Sequence, residues 1–204
     1  WQDGIPTVFV SGQNTLEETS RYTGIPIRTF GQQEADIVSL VENITKYAVM
    51  LTDPQQIGHE MDKLISLATT GRKGPVWLDV PLDVQSMQID PATLIRFSKP
   101  VSQEVQLENF HFEHFDTLLN ESKCPLILVG HGVRSADSIA ELQILQSKTQ
   151  IPLIFTASAV DTIGSGNVGS IGSIGMMGCS RSAAQALQTA DLLIVLGSRM
   201  ADAR

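Results

Sequence analysis

The chain has 204 residues, a formal net charge of −8 and 42% hydrophobic residues. Such an acidic chain lacks the basic face of nucleic-acid-binding modules, and its hydrophobic content excludes a disordered chain. Its apolar runs fall far short of the roughly 18 residues of a membrane span. We therefore expect a globular protein without nucleic-acid or membrane partners. The two cysteines, Cys124 and Cys179, form no CxxC pair, which favours a reducing, cytoplasmic location and no structural zinc.

The first 84 residues alternate short apolar segments with helical ones. We predict strands at 7–10, 46–50 (or an extended link) and 76–80, and helices at 32–41 and 53–70. The uniformly apolar residues 7–10 indicate a parallel strand that is buried on both faces. Glu34 is expected in the first turn of its helix, where the helix dipole favours a carboxylate. Asp53 as N-cap, Pro54 at N1 and Gly71 after the end frame the second helix.

The apolar residues of this second helix recur at helical spacing and predict a packed stripe. They are Ile57, Met61, Leu64, Ile65 and Ala68. A stripe of this kind packs against a sheet.

The second half of the chain repeats the alternation after a polar stretch. Residues 85–104 contain Pro91 and Pro100 without a sustained period, which predicts an interdomain linker. Beyond it we predict a helix near 112–119, strands at 126–129, 151–155 and 192–196, and helices at 136–147 and 181–189, with Ser135 as the cap of the 136–147 helix. This order implies an α/β fold with mostly parallel, doubly wound sheets. The helix expected after a terminal strand is missing, and the chain starts at Trp1, so we expect a piece of a longer protein.

Two predicted strands of the second half end in glycine, at Gly130-His131-Gly132 and at Gly197. Ligands bind beyond the carboxyl ends of parallel strands, so these glycines are ligand-facing candidates. Alternatively, each one only makes the turn from strand to helix. Residues 130–135 lack the last glycine of the GxGxxG fingerprint, so they do not match that dinucleotide motif.

Residues 164–178 hold six glycines before a predicted helix. Such a loop is either a phosphate or adenylate cradle or a flexible surface loop without a ligand, and it is not a Walker A loop. His111 and His114 straddle Glu113 and are interpreted as surface residues. Asp79 and Asp83 bracket a strand end and indicate turn chemistry. No serine or cysteine nucleophile with a plausible base emerges.

Several segments resemble the thiamine-diphosphate-dependent acetolactate synthases and their relatives. They are residues 9–13, 33–38, 44–47, 68–84, 129–132, 175–178 and 190–199. The segment ATTGRKGPVWLDVPLDV at 68–84 is the most specific. The resemblance implies that residues 1–84 are the C-terminal part of a pyrimidine-binding domain. It also implies that residues 105–204 are a truncated central, dinucleotide-binding-like domain.

The resemblance further implies a function for the parent protein. Such an enzyme uses thiamine diphosphate and Mg²⁺ to decarboxylate pyruvate and to transfer the two-carbon unit to a second 2-keto acid. Gln33 resembles the family glutamine near the reacting carbon, and Gln13 lies on a nearby loop. A further set resembles positions that bind a non-redox FAD or line its site: Arg72, Gly130, Gly132, Thr156, Gly175, Met176, Gly197, Arg199 and Asp202.

Parts of the family machinery are not in this sequence. The activating glutamate and the Gly-Asp-Gly…Asn motif for magnesium and diphosphate fall outside it, so the chain alone is expected to be inactive. The family also implies at least a homodimer. This sequence has His131 where relatives have glycine, Leu82 where a basic residue is frequent, and Ala203 where an arginine stands. Three possibilities therefore stay open for the central domain: it binds FAD, it binds ADP, or it binds no nucleotide. Two other functions stay open: a thiamine-diphosphate-dependent decarboxylase or lyase for another 2-keto acid, and a non-catalytic nucleotide-binding or structural module.

Overall fold

A computed structural model describes residues 1–98, 110–163, 166–167, 169–176 and 178–200. The chain divides into two compact units, residues 1–103 and 104–204. Each unit is built on a sheet whose strands are all parallel, with helices between the strands, so the predicted α/β class is confirmed. Within the described residues, no helix is long and apolar enough to cross a membrane.

The first unit contains a three-stranded sheet in the order β1-β3-β2. Its strands are β1 (Val8–Gln13), β2 (Ala48–Met50) and β3 (Val76–Pro81). Its helices are α1 (Ser20–Thr23), α2 (Ile37–Val41), α3 (Ile57–Thr69) and α4 (Leu82–Ser86), with 3-10 turns at Leu16–Glu18, Glu42–Ile44 and Pro54–Gln56. The three predicted strands are therefore confirmed, each within a few residues.

The core of the first unit lies between β3 and α3. Val76 and Leu78 of β3 and Leu64 and Ala68 of α3 are all buried. Before α3, Asp53 accepts the backbone N–H of Gln55 at 3.0 Å, so the predicted cap is confirmed, although it caps the 3-10 turn that leads into α3. The predicted packed stripe is wrong at one position, because Ile65 is 50% exposed.

The prediction that the first strand is buried on both faces is wrong. Among the described residues β1 pairs only with β3 and is an edge strand, with Phe9 43% and Val10 62% exposed. Phe9 stacks on Trp77 of β3 with ring centroids 4.9 Å apart. A uniformly apolar sequence therefore does not distinguish an edge strand from a central one here.

The helix predicted over 32–41 begins only at Ile37, so the prediction that Glu34 lies in its first turn is wrong. Asp36 is the N-cap and accepts the backbone N–H of Ser39 at 3.4 Å. The same carboxylate pairs with the guanidinium of Arg21 at 2.5 Å. These contacts fix the start of α2 at Asp36 and leave the residues before it in an irregular loop.

Residues near the end of the first unit pack on α3, although they fall within the predicted linker. Arg96 Nε lies 2.9 Å from the Asp62 carboxylate, and Phe97 meets the ring of His59 edge-on. A Cβ on Gly58 would lie 2.8 Å from the carbonyl oxygen of Ile95, so this close approach requires glycine in α3.

The second unit contains a four-stranded sheet in the order β6-β5-β4-β7. Its strands are β4 (Pro125–Val129), β5 (Leu153–Thr156), β6 (Ser170–Ile174) and β7 (Leu192–Leu196). Its helices are α5 (Phe112–Glu121), α6 (Gly132–Ser135), α7 (Ile139–Thr149), α8 (Val160–Ile163) and α9 (Arg181–Thr189), with a 3-10 turn at Ala157–Ala159. The bounds predicted for β7 and α9 are confirmed.

Two details of the second unit were predicted wrongly. Ser135 does not cap the helix that carries Leu142, because it ends the separate helix α6 and Ser138 stands at the N-cap of α7. The Gly-rich stretch is not all loop, because residues 170–174 form β6 and pair with β5.

Helices cover both faces of the second sheet. Ile127 and Val129 of β4 belong to the core that contains Leu142 of α7. The alternate residues Leu126 and Leu128 belong to the core that contains Ala183 of α9. Because side chains alternate between the faces of a strand, β4 is buried on both sides and the doubly wound prediction is confirmed for this sheet.

Candidate functional site

The order in which the chain adds strands to the second sheet reverses between β4 and β7. The chain passes from β4 to β5 and β6 on one side, and then returns to place β7 on the other side of β4. This is the topological switch point of a doubly wound sheet, where ligands bind beyond the carboxyl ends of the strands. Gly130 follows β4 and Gly197 follows β7 at this point.

The glycines at the switch point are required by the packing of the chain on itself. A Cβ on Gly130 would lie 2.4 Å from the carbonyl oxygen of Gly197, and a Cβ on Gly132 would lie 2.7 Å from the Cα of Gly197. The N–H of Gly132 donates to the Gly197 carbonyl at 2.9 Å. The turn interpretation therefore accounts for these glycines without a ligand.

The other candidate residues of the second unit follow the same edge. Thr156 ends β5, Gly175 follows β6, and Arg199 lies two residues after Gly197. A Cβ on Gly175 would have nothing within 4 Å, and Met176 is 92% exposed. This edge thus offers open space and an exposed guanidinium, which fit a ligand that carries phosphate.

His131 and Arg134 turn toward the segment after β5 instead of the open edge. The His131 Nδ1 lies 3.3 Å from the carbonyl oxygen of Ser158. The Arg134 guanidinium lies 3.1 Å from the carboxylate of Asp161 and also donates to its carbonyl. Of the remaining candidates, Arg72 lies in the first unit, where it donates to the Gln2 carbonyl at 3.3 Å, and Asp202 lies outside the described residues.

The end of the Gly-rich stretch is anchored to its neighbours, so the interpretation as a flexible surface loop is wrong for residues 170–174. Ser173 Oγ donates to the Gly178 carbonyl at 3.0 Å, and Ser182 Oγ donates to the Ile171 carbonyl at 2.8 Å. Ser180 caps α9 by accepting the Ala183 N–H at 3.2 Å.

In the first unit, Gln13 reaches the loop that carries Gln33. Gln13 is the last residue of β1, and its Nε2 donates to the Ala35 carbonyl at 2.7 Å and to Asp79 Oδ2 at 3.1 Å. Its Oε1 accepts the Asn14 N–H at 3.1 Å. The structure therefore brings the two predicted catalytic glutamines to one loop, with Gln13 fully engaged inside the chain.

Gln33 is exposed and has a strained backbone, with φ at +149°. Residues other than glycine rarely adopt this conformation, which costs on the order of 1–3 kcal/mol and persists only where the surroundings enforce it. Here the Gln33 N–H donates to the Gly31 carbonyl at 3.1 Å, and Gln13 holds Ala35. Strain of this kind concentrates at functional sites, which supports Gln33 as a site residue.

Glu34 fixes the other side of the loop. Its carboxylate is 6% exposed and accepts the hydroxyl of Ser20 at 2.6 Å, together with the backbone N–H groups of Ser20 and Phe30. Burial would raise the pKa of this carboxyl, but the hydrogen bonds from Ser20, Phe30 and Gly31 outweigh burial and hold the pKa below its ordinary value. Glu34 thus acts as an ionised anchor for the loop.

Asp79 was predicted as a turn residue, and that prediction is wrong. It lies inside β3, is 1% exposed, and accepts the hydroxyl of Ser11 at 2.6 Å. The sequence shows only an aspartate two residues before Pro81, and the partners of Asp79 come from β1, which is 66–68 residues away. Asp83 is not a turn residue either: it lies in the first turn of α4 and accepts the Leu16 N–H at 3.2 Å.

His111 and His114 are exposed, as predicted, beside a cavity of about 370 Å³ lined by residues 110–114. Among the described residues, no cluster of three or more His, Cys, Asp or Glu side chains suits a metal ion.

The sequence of this chain is similar to a known enzyme family and to several of its members. Residues 113–204 match the family described as thiamine pyrophosphate enzyme, central domain. The chain is 35% identical to the acetolactate synthase large subunit of Corynebacterium glutamicum and 30% identical to the acetolactate synthase isozyme 1 large subunit of Escherichia coli. Residues 113–204 of the chain therefore belong to the central-domain family of thiamine pyrophosphate enzymes.

The similarity to these enzymes runs along 98% of the chain, and so does a 30% identity to the mitochondrial catalytic subunit of acetolactate synthase from Saccharomyces cerevisiae. The chain spans about a third of their length, namely 31%, 34% and 29%. The predicted resemblance to acetolactate synthases is therefore confirmed.

Proposed function

We propose that this chain is part of a thiamine-diphosphate-dependent enzyme of the acetolactate synthase type. Such an enzyme decarboxylates pyruvate and transfers the two-carbon unit to a second 2-keto acid. The observation that carries the proposal is the similarity to acetolactate synthase large subunits along 98% of the chain. When bound, thiamine diphosphate supplies the carbanion chemistry that this reaction needs.

The first unit fits the reacting end of this cofactor. Gln33 lies in the loop next to the carboxyl end of β1, and its neutral amide is exposed. The surrounding hydrogen bonds hold its backbone in a strained conformation. An amide of this kind can donate to the keto or carboxylate oxygens of a substrate without carrying a charge into the site. Gln13 and Glu34 hold its loop from two sides, so their role is to orient Gln33.

The diphosphate end of the cofactor is expected to be held elsewhere in the whole protein. Mg²⁺ prefers oxygen ligands and bridges phosphate oxygens to carboxylates. The described residues of this chain hold no acidic cluster of that kind. We therefore propose that Mg²⁺ and the diphosphate are bound by a part of the protein outside this sequence, and that the 204 residues alone do not turn over substrate.

The test is acetolactate formation by the full-length protein from pyruvate with thiamine diphosphate and Mg²⁺. We expect activity in the wild type and a fall of about a hundredfold or more in Gln33→Ala, because an interaction with the reacting group is lost. Gln32→Ala is the matched control, since Gln32 is the adjacent exposed glutamine. It should retain activity within about twofold, because surface substitutions away from a site change little.

The alternative functions give different results. Release of an aldehyde and CO₂ without acetolactate would identify a decarboxylase, and turnover of a different 2-keto acid would identify a relative with another substrate. A folded full-length protein that does not bind thiamine diphosphate at all would identify a non-catalytic nucleotide-binding or structural module. Each of these outcomes would overturn the proposed function.

We extend the proposal to FAD at the carboxyl edge of the second sheet. The support is the open space at Gly175 and the exposed Arg199 side chain beside the switch point. Thr156 and Met176 lie along the same edge. Arg72 is included only because it resembles a position that binds FAD in the family. The flavin would have no redox role, so its contribution is measured as binding.

FAD binding to the full-length protein tests this assignment. Arg199→Ala and Arg72→Ala should each weaken the affinity about tenfold or more, because a bidentate donor to phosphate is lost. Lys148→Ala, which removes a charge at the end of α7, is the control and should leave the affinity unchanged. Tight binding of ADP with no binding of FAD would reassign the edge to a nucleoside diphosphate, and binding of neither would remove the site.

We also propose a cytoplasmic homo-oligomer, at least a dimer. Both cysteines, Cys124 and Cys179, are unpaired and exposed, which suits a reducing compartment. Four large apolar side chains between Tyr22 and Phe30 are exposed next to the loop of Gln33, which suits a surface covered by another subunit. Cell fractionation tests the location. Sedimentation of the full-length protein tests the assembly, and a monomer at micromolar concentration would contradict it.

A further inference from the structure

A chain of side-chain hydrogen bonds runs from the sheet of the first unit to the loop of Gln33. Trp77 Nε1 donates to Ser11 Oγ at 2.8 Å, and Ser11 Oγ donates to Asp79 Oδ1 at 2.6 Å. The second carboxylate oxygen, Asp79 Oδ2, accepts Gln13 Nε2 at 3.1 Å, and the same nitrogen donates to the Ala35 carbonyl at 2.7 Å. Within this series Asp79 accepts without donating, and both of its oxygens are used.

We propose that Asp79 is a positioning residue for the reaction, acting through Gln13 on the backbone that holds Gln33. The proposal rests on the proposed function in so far as Gln33 serves that reaction. Asp79 is 1% exposed, and a buried carboxylate is costly unless it is hydrogen-bonded. Of its two donors, Ser11 ties the acid to the sheet and Gln13 leads on to the loop of Gln33, so Asp79 links the position of that loop to the sheet.

The direction of the hydrogen bonds is fixed by Asp79. An ionised carboxylate only accepts, so Gln13 must present its NH₂ group to it and its Oε1 to the Asn14 N–H. In this orientation the second proton of the NH₂ group reaches the Ala35 carbonyl, two residues after Gln33. The amide of Gln13 therefore has one orientation that satisfies all three partners.

An asparagine at position 79 would break this pattern without changing its size. Its NH₂ group would face either Ser11, whose hydroxyl could then accept but would lose its own acceptor at position 79, or the donating amide of Gln13. If Gln13 turned to present its oxygen, its NH₂ group would face the Asn14 N–H, and Ala35 would lose its donor. Either arrangement leaves one donor without its acceptor, and any bond that remains from Gln13 to position 79 loses its charge assistance, so the loop is held less tightly.

The first arm of the test is hydrogen exchange of the backbone amides at residues 33–37 in the full-length protein. We expect Asp79→Asn to accelerate their exchange at least about tenfold, because a loop opens when its anchoring hydrogen bonds are lost. Asp90→Asn is the matched control: Asp90 is exposed, caps the Ala92 N–H at 2.9 Å, and an asparagine can keep that bond. It should leave exchange at 33–37 unchanged. Unchanged exchange in a folded Asp79→Asn protein would overturn the proposal.

The second arm is a double-mutant cycle on kcat. Asp79→Asn should lower kcat about tenfold in the wild type, yet change it less than about twofold in the Gln33→Ala background, because residues that act as a unit are not additive. Equal effects in both backgrounds would show a general structural role and overturn the proposal. If Asp79→Asn does not fold, Gln13→Leu takes its place in both arms, with the same expected outcomes.

The two arms separate this inference from the proposed function. A wild type that makes no acetolactate removes the proposed function, and the exchange arm still decides whether Asp79 controls the loop. An active wild type with unchanged exchange and additive effects keeps the function and removes the role of Asp79.

Discussion

Gly132 and Gly197 approach so closely that neither tolerates a side chain. A Cβ on Gly132 would lie 2.7 Å from the Cα of Gly197, and a Cβ on Gly197, whose φ is +65°, would lie 2.4 Å from the backbone nitrogen of Val133. This contact joins the turns that follow β4 and β7. Backbone packing therefore fills the switch point of the sheet. The open edge beside β5 and β6 remains accessible to a ligand.

Gly132→Ala is predicted to destabilise the protein by about 2–3 kcal/mol, because an added methyl group meets backbone atoms that cannot move independently. Urea unfolding followed by circular dichroism measures the change. Gly166→Ala is the matched control, since a Cβ there would have nothing within 4 Å. An equal loss in both variants would contradict this account.

The sequence predicted elements best where local signals and tertiary structure agree. Residues 181–189 follow the N-cap Ser180 and form α9 with the predicted bounds. Residues 192–196 are an apolar run and form β7 with the predicted bounds. Residues 170–174 contain two serines and Gly172, which have weak strand propensity. That strand forms because it pairs with β5, and no local pattern reports the pairing.

The candidate site was predicted only in part, for a related reason. The resemblance located Gln33, but the strained backbone that marks it exists only in the folded loop. Glu34 was assigned to a helix dipole because the sequence shows only its neighbours along the chain. Its partner Ser20 begins α1, 14 residues before it, and Phe30 lies four residues before it; Asp79 depends on Ser11, which is 68 residues away.

Gln33→Gly is predicted to stabilise the fold by about 1 kcal/mol while removing activity. Glycine adopts a φ of +149° without strain, and the relief exceeds the entropy cost of glycine in the unfolded chain. Urea unfolding gives the stability, and acetolactate formation by the full-length protein gives the activity.

The adjacent glutamine is the control for this substitution. Gln32→Gly is predicted to lose stability by about 0.5–1 kcal/mol, because glycine only adds freedom to the unfolded chain there. Loss of stability in Gln33→Gly by the same amount would mean that the backbone of Gln33 is unstrained.

Asp191 is predicted to make the free energy of unfolding of the second unit depend on pH. The Ser122 hydroxyl and the backbone N–H groups of Lys123 and Cys124 hold the pKa of Asp191 at about 2, below its ordinary value of 3.8. A lowered pKa stabilises the folded state above pH 3.8, and the contribution is lost as the pH falls toward 2. Asp191→Asn should therefore be less stable than the wild type at pH 6, and the two should converge near pH 2. A constant difference across this range would contradict the assignment.

Glu34→Gln is predicted to destabilise the first unit by about 2–3 kcal/mol, because a buried carboxylate loses charge-assisted hydrogen bonds and its new NH₂ group opposes a donor. The carboxylate accepts from Ser20 and Phe30, so either orientation of the amide leaves one of these donors opposed. The lowered pKa of Glu34 fixes the sign of the pH dependence: its contribution is complete above the ordinary pKa of 4.5 and is lost at lower pH.

Urea unfolding of Glu34→Gln at neutral pH measures the loss, and Glu42→Gln, at an exposed carboxyl, is the control with a change within about 0.5 kcal/mol. The cost of Glu34→Gln should shrink as the pH falls below 4.5, because the carboxyl of the unfolded wild type then takes up a proton while the folded one does not. Hydrogen exchange should locate the loosened amides between residues 20 and 37, on the side of the loop opposite to Gln13. A loss that is unchanged at low pH would mean that Glu34 contributes by packing and not by charge, and the loop of Gln33 would then depend on Gln13 and Asp79 alone.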